Sequence, residues 1–502
     1  MSPSRPFAAH VADGDRPDET PVGEGTRQNM PVPDARVADM HDVSPSGWLD
    51  SAAMPPRRVR LAGSIDVDVA IMGGGFSGLW TAYYLLEHNP RLKVAIFERH
   101  HVGYGASGRN GGWCSPRFPL RVSSAVDQFG SECARRLWLE MEQTVQTIAD
   151  VCEREGIDAD MRRTGILSVA RGAHELPSIR ELYGHYQRLG VTSYRLFTAP
   201  EVAERVNVSN VVGGLFTPAG AAINPMKLVV GLADAVERRG ATIYEDTVVT
   251  DFAGGEQPHL ATAAGQVRAR LAIVLAGEAY LAELPRLHRK ILPVYSTIVR
   301  TAPLTPAQWQ RIGWQGGELL SSQRKTVDYL TRTADGRILF GSRGAPYRFG
   351  SKIAPEQDIH EPTIAAIKGI FRDWFPALAD VAFADAWGGP LGMPRDLIPT
   401  ASFDPATRIA TACGYTGNGL GTSNLAARTL ADLILDRPSP LRELPIAMHD
   451  SPDWELEPFR WLGARFMQHA FIRSDEAREA GRPLPIDARI AQWYARRCGL
   501  AL

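Results

Sequence analysis

Apolar residues along this chain fall into blocks whose spacing switches repeatedly between strand and helix. Asp66 to Met72, "DVDVAIM", alternates and then turns solidly apolar, which predicts a strand with a buried end. A helix follows from the end of a glycine cluster through "LWTAYYLLEH" and stops near Asn89-Pro90, where proline cannot continue it. Lys93 to Phe97 is the next strand, so the chain opens with a βαβ unit. A long helical pattern covers about Ala125 to Glu155, and "RRTGILSVAR" reads as a strand. In "INPMKLVVGLADAVERRG", Asn224 caps a helix, Pro225 suits its first turn and Gly240 ends it. Strands "ATIYED", "VVTDF" and "RLAIVLAG" follow, the last ending in Gly277.

From about Leu292 to Gly344 strands and turns replace that alternation, and "DYLTRTADGRILFGSRG" predicts a hairpin about Asp335-Gly336. "EPTIAAIKGIFRDWF" is helical. The strand "RIATACG" then leads through a glycine-rich turn into the helix "NLAARTLADLIL". The last sixty or so residues form a helical extension, with Trp454 and Trp461 as packing anchors. Residues 1 to about 45 carry almost no apolar periodicity, so they predict a disordered tail, with Met40 as an alternative start. Order is expected from "GWLD", Gly47 to Asp50.

Composition narrows the class. At 502 residues the chain is too long for one core, and 44% apolar with 22% charged residues is ordinary for a globular protein. A net charge of -1 with no long basic run disfavours nucleic acid. No secretory signal opens the chain. The uncharged run Val69 to Leu86 could span a membrane by length, but "GGGFSG" splits it into strand, turn and helix, so no membrane span is expected. The five cysteines, Cys114, Cys133, Cys152, Cys413 and Cys498, form no CxxC pair, and no histidine cluster completes a metal site. Free thiols in a reducing cytoplasm are the expectation.

The candidate chemistry lies in three glycine-rich stretches. Gly73-Gly74-Gly75-Phe76-Ser77-Gly78 matches GxGxxG between strand and helix, and Glu98 ends the next strand. Gly73 permits the turn, Gly75 admits a pyrophosphate and Gly78 lets helix meet strand, while the helix N-terminus offers N–H groups and partial positive charge. Glu98 suits ribose hydroxyls. This fingerprint serves NAD and FAD alike. The second stretch, "GYGASGRNGGW", decides for flavin, because an extended bed of small residues lets backbone lie against a broad flat ring. Arg109 would offer charge to the pyrophosphate or the polar ring edge, and Asn110, Gly111 and Gly112 would meet the ring. The third, "CGYTGNGLGTS", repeats the strand–turn–helix design and aims a helix N-terminus at the ring's pyrimidine side.

These motifs, with "WGGPLGMPRDLIP", resemble the FAD-dependent D-amino acid oxidase superfamily, in particular the branch of gamma-glutamylputrescine oxidase and related amine oxidases. The resemblance runs from about Gly47 to Asp436, and "WELEPFRWLG" resembles that branch's tail. It implies an α/β fold: a doubly wound, Rossmann-like FAD domain (46–124, 215–291 and 388–438) interleaved with an α+β substrate domain on an antiparallel sheet (125–214 and 292–387), followed by a helical extension (439–502). It also implies oxidation of an amine C–N bond to an imine by hydride transfer to flavin, with oxygen as acceptor. A dehydrogenase of the same fold that passes electrons to a quinone or protein, and a flavin-binding partner subunit without turnover, are the alternatives. No cysteine lies in "WGGPLGMPRDLIP", where some members attach flavin, so non-covalent FAD is expected.

Expected cofactor contacts therefore include Gly73, Gly75, Phe76, Ser77, Gly78, Glu98, Arg99, Gly105, Ala106, Ser107, Arg109, Asn110, Gly111 and Gly112. Val248, Ala276, Gly277, Gly417, Asn418, Gly419, Leu420, Gly421 and Thr422 complete that set. Near the reacting amine the candidates are Trp387, expected on a strand facing the ring, then Tyr415 and Trp113. Tyr329 and Arg343, on the hairpin, are candidate substrate contacts: an aromatic wall suits a carbon chain and an arginine suits a carboxylate.

Overall fold

The computed structural model describes residues 46–52 and 56–497. The expectations for the tail and for Cys498 lie outside those residues. "GWLD" forms a short 3-10 helix, Gly47–Ser51.

Two sheets organise the chain. The central strands of the first are parallel: Ile65–Met72 pairs on one side with Val94–Phe97 and on the other with Gly265–Leu275. Thr242–Tyr244 extends one edge and Ile409–Cys413 the other, with Thr400–Asp404 antiparallel outside it. The near-continuous apolar runs read from the sequence reflect burial on both faces. One face packs against the helices Phe76–His88, Pro225–Arg238 and Gly419–Ile434. Ala70, Met72, Ala95 and Phe97 face the other side, under the antiparallel strands Val249–Ala253 and His259–Thr262 and the turns around Leu281 and Leu284.

The second sheet has the order Phe383–Met393, Leu292–Thr301, Ile338–Arg343, Tyr329–Arg332, Leu319–Ser321, Ile166–Arg171, Val211–Thr217, Arg195–Thr198. Its pairs are antiparallel except Leu319–Ser321 against Ile166–Arg171. The hairpin turns at Gly336, whose φ of +77° needs glycine. Helix Glu361–Trp374 covers one face with Phe371 and Trp374 fully buried.

Two readings of the sequence are corrected. The boundaries at 215 and 388 each cut a strand, because Val211–Thr217 and Phe383–Met393 belong wholly to the second sheet. Gly388 and Gly389, at the second of these boundaries, pair in register with Thr297 and Ser296, since glycine also accepts extended backbone. The helical pattern from Ala125 is two helices, Val122–Phe129 and Ser131–Glu155, parted at Gly130, whose φ is +80°. Two further helices, Phe459–Glu479 and Ile486–Arg497, form the extension. Among the described residues no helix is long and apolar enough to cross a membrane.

Candidate active site

The site begins where parallel strands stop together. Met72 lies in register with Phe97 and with Leu275, so Gly73, Glu98 and Ala276 emerge side by side at the carboxyl edge of the first sheet. This edge is where ligands bind in open α/β sheets. Gly73 turns the chain at φ +107°, and a Cβ there would meet the Ala276 carbonyl oxygen at 2.6 Å. A Cβ on Gly78 would lie 2.0 Å from the Gly73 oxygen, so this glycine seats the helix against the turn rather than facing a ligand. Glu98 is held by two backbone N–H groups, from Gly74 at 2.7 Å and His100 at 2.9 Å. Burial pushes its carboxyl upward against those bonds. The Phe76 N–H at the helix start is already donated, to Ser107 Oγ at 2.8 Å.

The second stretch is not an extended bed. Ala106–Arg109 forms a helical turn, because Gly108 packs where a Cβ would meet the Gly103 oxygen at 2.3 Å. Side chains from elsewhere then pin the next carbonyls. Trp387 Nε1 donates to Arg109 O at 2.9 Å, Trp48 Nε1 to Asn110 O at 2.8 Å and Thr331 Oγ1 to Gly111 O at 2.6 Å. Asn110 turns inward, its Nδ2 on Ser107 O at 2.9 Å and its Oδ1 accepting the Gly112 N–H at 2.9 Å.

The third stretch follows Ile409–Cys413. Gly414 and Gly417 take positive φ, and helix Gly419–Ile434 starts at the turn. Tyr415 Oη and Ser77 Oγ are 2.8 Å apart, which ties the third stretch to the first. Burial pushes the Tyr415 phenol well above its usual value. Glu278, which sequence reading missed, joins these parts. Its carboxylate accepts N–H bonds from Gly414 at 2.7 Å, Gly392 at 3.0 Å and Tyr415 at 3.3 Å. Burial raises its carboxyl to about 7, the three bonds opposing. Its φ of +49° gives no signal in a sequence, since glutamate is not a residue that marks left-handed backbone.

All three stretches line one cavity of about 1430 Å³. Of the expected cofactor residues, Gly73, Gly75, Phe76, Ser77, Glu98, Arg99, Gly105, Ala106, Ser107, Arg109, Asn110, Gly111, Ala276, Gly277, Gly417, Asn418, Gly419 and Leu420 lie on its wall. Gly78, Gly112, Gly421 and Thr422 do not; they pack behind it. Val248 is 38% exposed and misses the wall, whereas Thr247 and Val249 reach it. Successive side chains of extended backbone point to opposite sides, so that choice was one residue out of phase. Arg109 is a wall residue whose charge is already met, by Asp358 at 2.5 Å and by the carbonyls of Tyr104 at 2.8 Å and Gly388 at 3.2 Å.

Trp387 is corrected more sharply. It is 1% exposed, sits in the core with Trp48 and does not line the cavity. A buried indole needs an acceptor for its N–H, and the Arg109 carbonyl supplies it. Trp387 thus supports the ring-facing loop from beneath. Trp113, Tyr415, Tyr329 and Arg343 do line the cavity. The Tyr329 ring lies against Gly111 and Gly341, where a Cβ would approach it to 2.5 and 2.0 Å, and its Oη is 2.9 Å from Ser296 Oγ. Burial pushes its phenol up to about 12.

Sequence reading also missed Arg117, Ser168 and Ser321, which meet in space from three separate segments. The extension supplies further wall, through Phe459, Phe466 and Trp493. Cys114 and Cys413 are buried with thiols raised by burial, and no cysteine is among the described wall residues.

The residues fit FAD. The first-sheet edge gives a glycine cradle that any side chain would fill, a carboxylate beside it for ribose, and a continuous cavity past two further glycine turns. Comparison with known proteins agrees. Residues 68–433 match the model of the FAD dependent oxidoreductase family, DAO. Gamma-glutamylputrescine oxidoreductase of Escherichia coli (strain K12) is 29% identical over 374 residues, 74% of this chain and 84% of that protein. Glycine oxidase of Geobacillus kaustophilus has the same fold, with a TM-score of 0.62 at 22% identity over 77% of this chain and 99% of its own. L-proline dehydrogenase of P. horikoshii gives 0.61 at 19% identity, covering 78% and 96%. A matched model that spans most of the chain and a glycine cradle built for a dinucleotide lead to one conclusion: the chain belongs to the FAD-dependent oxidoreductase (DAO) family and is an enzyme that uses FAD.

Proposed function

We propose that this enzyme oxidises the C–N bond of a small-molecule amine or amino acid to an imine, with oxygen as the electron acceptor. The observation that carries this reading is the convergence of three glycine-rich stretches on one cavity that continues under the second sheet. The names of its relatives, a gamma-glutamylputrescine oxidoreductase and a glycine oxidase, point to amines and amino acids.

FAD, when bound, supplies the hydride acceptor. Gly73 to Gly75 and the N-terminus of helix Phe76–His88 would hold its pyrophosphate, and Glu98 its adenosine ribose. The pinned carbonyls of Arg109, Asn110 and Gly111 fix the loop that faces the ring, so its position does not reorganise during turnover. Trp113 and Tyr329 wall the space beyond the loop and keep water from an amine held there. The protein's task is to place the substrate carbon about 3–3.5 Å from the acceptor atom with its nitrogen neutral. No general base is assigned, and none is required once the amine is neutral.

The test is spectroscopic. The purified protein should be yellow, and an anaerobic panel of amines and amino acids should include members that bleach it. Readmitting air should restore the colour with one peroxide per amine consumed. A yellow protein that no amine bleaches contradicts the reading. Bleaching without peroxide in air moves the electrons to another acceptor.

A further inference from the structure

The C-terminal extension is built inside out. Its helices Phe459–Glu479 and Ile486–Arg497 pack against one another. They bury small or polar residues: Ala470, Ser474 and Asp475 on the first, Ala488, Ala491 and Ala495 on the second. Their large apolar residues stay uncovered. Phe459, Leu462 and Phe466 recur at helical spacing on the first helix, and Ile486, Ile490 and Trp493 on the second, each at least 40% exposed. A surface helix ordinarily does the reverse.

Polar bonds hold this arm to the second sheet. Asp475 accepts the N–H groups of Lys325 and Thr326, both at 2.9 Å, and the Thr326 hydroxyl at 2.8 Å. Gln468 Oε1 accepts the Tyr347 N–H at 3.1 Å. The arm is thus fastened without spending its apolar side.

That side belongs to the cavity. Phe459, Phe466, Ile490 and Trp493 lie on the same wall as the three glycine stretches. An apolar floor joins them. Leu391 stands 3.7 Å from where a Cβ on Gly417 would lie, beside the third stretch. It clusters with Leu292, Val294 and Tyr347, against which Trp454 and Ala464 of the extension pack, and all six line the cavity. At about 1430 Å³ the cavity exceeds the roughly 300–1,000 Å³ that encloses one ligand, so it has room beyond the cofactor. Residues on a cavity wall meet what enters the cavity, which favours a ligand over a lipid surface or a second copy of the chain.

We propose that the amine this site oxidises carries a long apolar chain, which lies along Leu391 and Ala464 to the uncovered sides of the extension, with Phe466 and Ile490 selecting for its length. The proposal rests on the amine-oxidising reading above, and two readouts separate their failures.

The first readout needs no turnover. The flavin-loaded enzyme is titrated with 1-alkanols from butanol to octanol, which carry no amine, and followed by flavin absorbance and thermal melting. Each added methylene should tighten binding about 3- to 4-fold, or about 100-fold across the series. F466D and I490D should each cut the gain to below about 2-fold per methylene at unchanged flavin content. Ile490 is 51% exposed, so its variant tests the idea even where F466D fails to fold. Affinities with the same dependence on chain length in wild type and both variants overturn the proposal.

The second readout is anaerobic bleaching by primary amines from butylamine to octylamine. The longer amines should bleach at lower concentration, with the advantage reduced in I490D. Amines that bleach with no dependence on chain length overturn the proposal and leave the amine reading standing. Length-dependent alkanol binding that I490D weakens, without bleaching by any amine, upholds the apolar seat and overturns the amine reading. A short-chain quinone that displaces octanol, while octylamine bleaches no better than butylamine, gives the seat to an electron acceptor and overturns the proposal. Sedimentation as a dimer, or with phosphatidylglycerol vesicles, that I490D abolishes gives the face to a second copy or to lipid and overturns it too.

Discussion

The two ends of the cavity treat charge in opposite ways. At the first-sheet end three charged groups are committed within the chain: Glu98 to two N–H groups, Glu278 to three, Arg109 to Asp358. At the second-sheet end the guanidiniums of Arg117 and Arg343 line the cavity with no ion-pair partner among the described residues. The first end meets its charges within the chain, whereas the second leaves charge on the wall unmet. Rigid satisfaction suits a group that stays bound for the life of the enzyme. Unmet charge suits one that must arrive, be recognised and leave.

Substitutions at the two ends should therefore differ in size. The largest effect is expected at Gly78, where any Cβ meets the Gly73 carbonyl at 2.0 Å. Gly78→Val should yield protein without bound flavin, read as loss of visible absorbance. Arg109→Met strands Asp358 in the interior and should cost about 3–5 kcal/mol in chemical denaturation.

Next comes the pH dependence of Glu278, whose carboxyl rises from an ordinary 4.5 to about 7 in the fold. A raised acid favours the folded state while protonated. Its contribution is thus fully present below about pH 4.5 and is lost as pH climbs through about 7, by up to ~3 kcal/mol. Denaturation of wild type and Glu278→Gln at pH 5 and pH 8 should show wild type losing ground to the variant at the higher pH. The smallest effect is expected at Arg343. Arg343→Met should leave the ligand-free enzyme within about 1 kcal/mol of wild type, or above it, since no partner is stranded. A loss at Arg343 as large as that at Arg109 would erase the contrast between the two ends.

The sequence declared the two ends unequally as well. The first end is built from local signals: a glycine turn between strand and helix, and Asn224 capping its helix at 3.1 Å from two N–H groups. Such signals need only neighbouring residues, so pattern reading recovers them. The second end is assembled from residues 117, 168, 321 and 343, which only the strand order brings together. No spacing announces that Arg117 will meet two serines, nor that Glu278 will adopt a left-handed backbone. Trp387 shows the converse failure. It was expected on a strand facing the ring, yet the large indole fills the core beneath the loop, where its N–H is satisfied.

The bond between Ser77 and Tyr415 has a consequence for biosynthesis. The helix Phe76–His88 packs its apolar side on Gly419–Ile434, a partner separated from it by most of the chain. A ribosome that adds roughly 5–20 residues per second would leave that side uncovered for on the order of tens of seconds. During this interval the nascent chain exposes an oily helix next to unpaired strand edges, so its yield in the cell should depend on chaperone capacity and on slower translation temperatures more than on the stability of the finished enzyme.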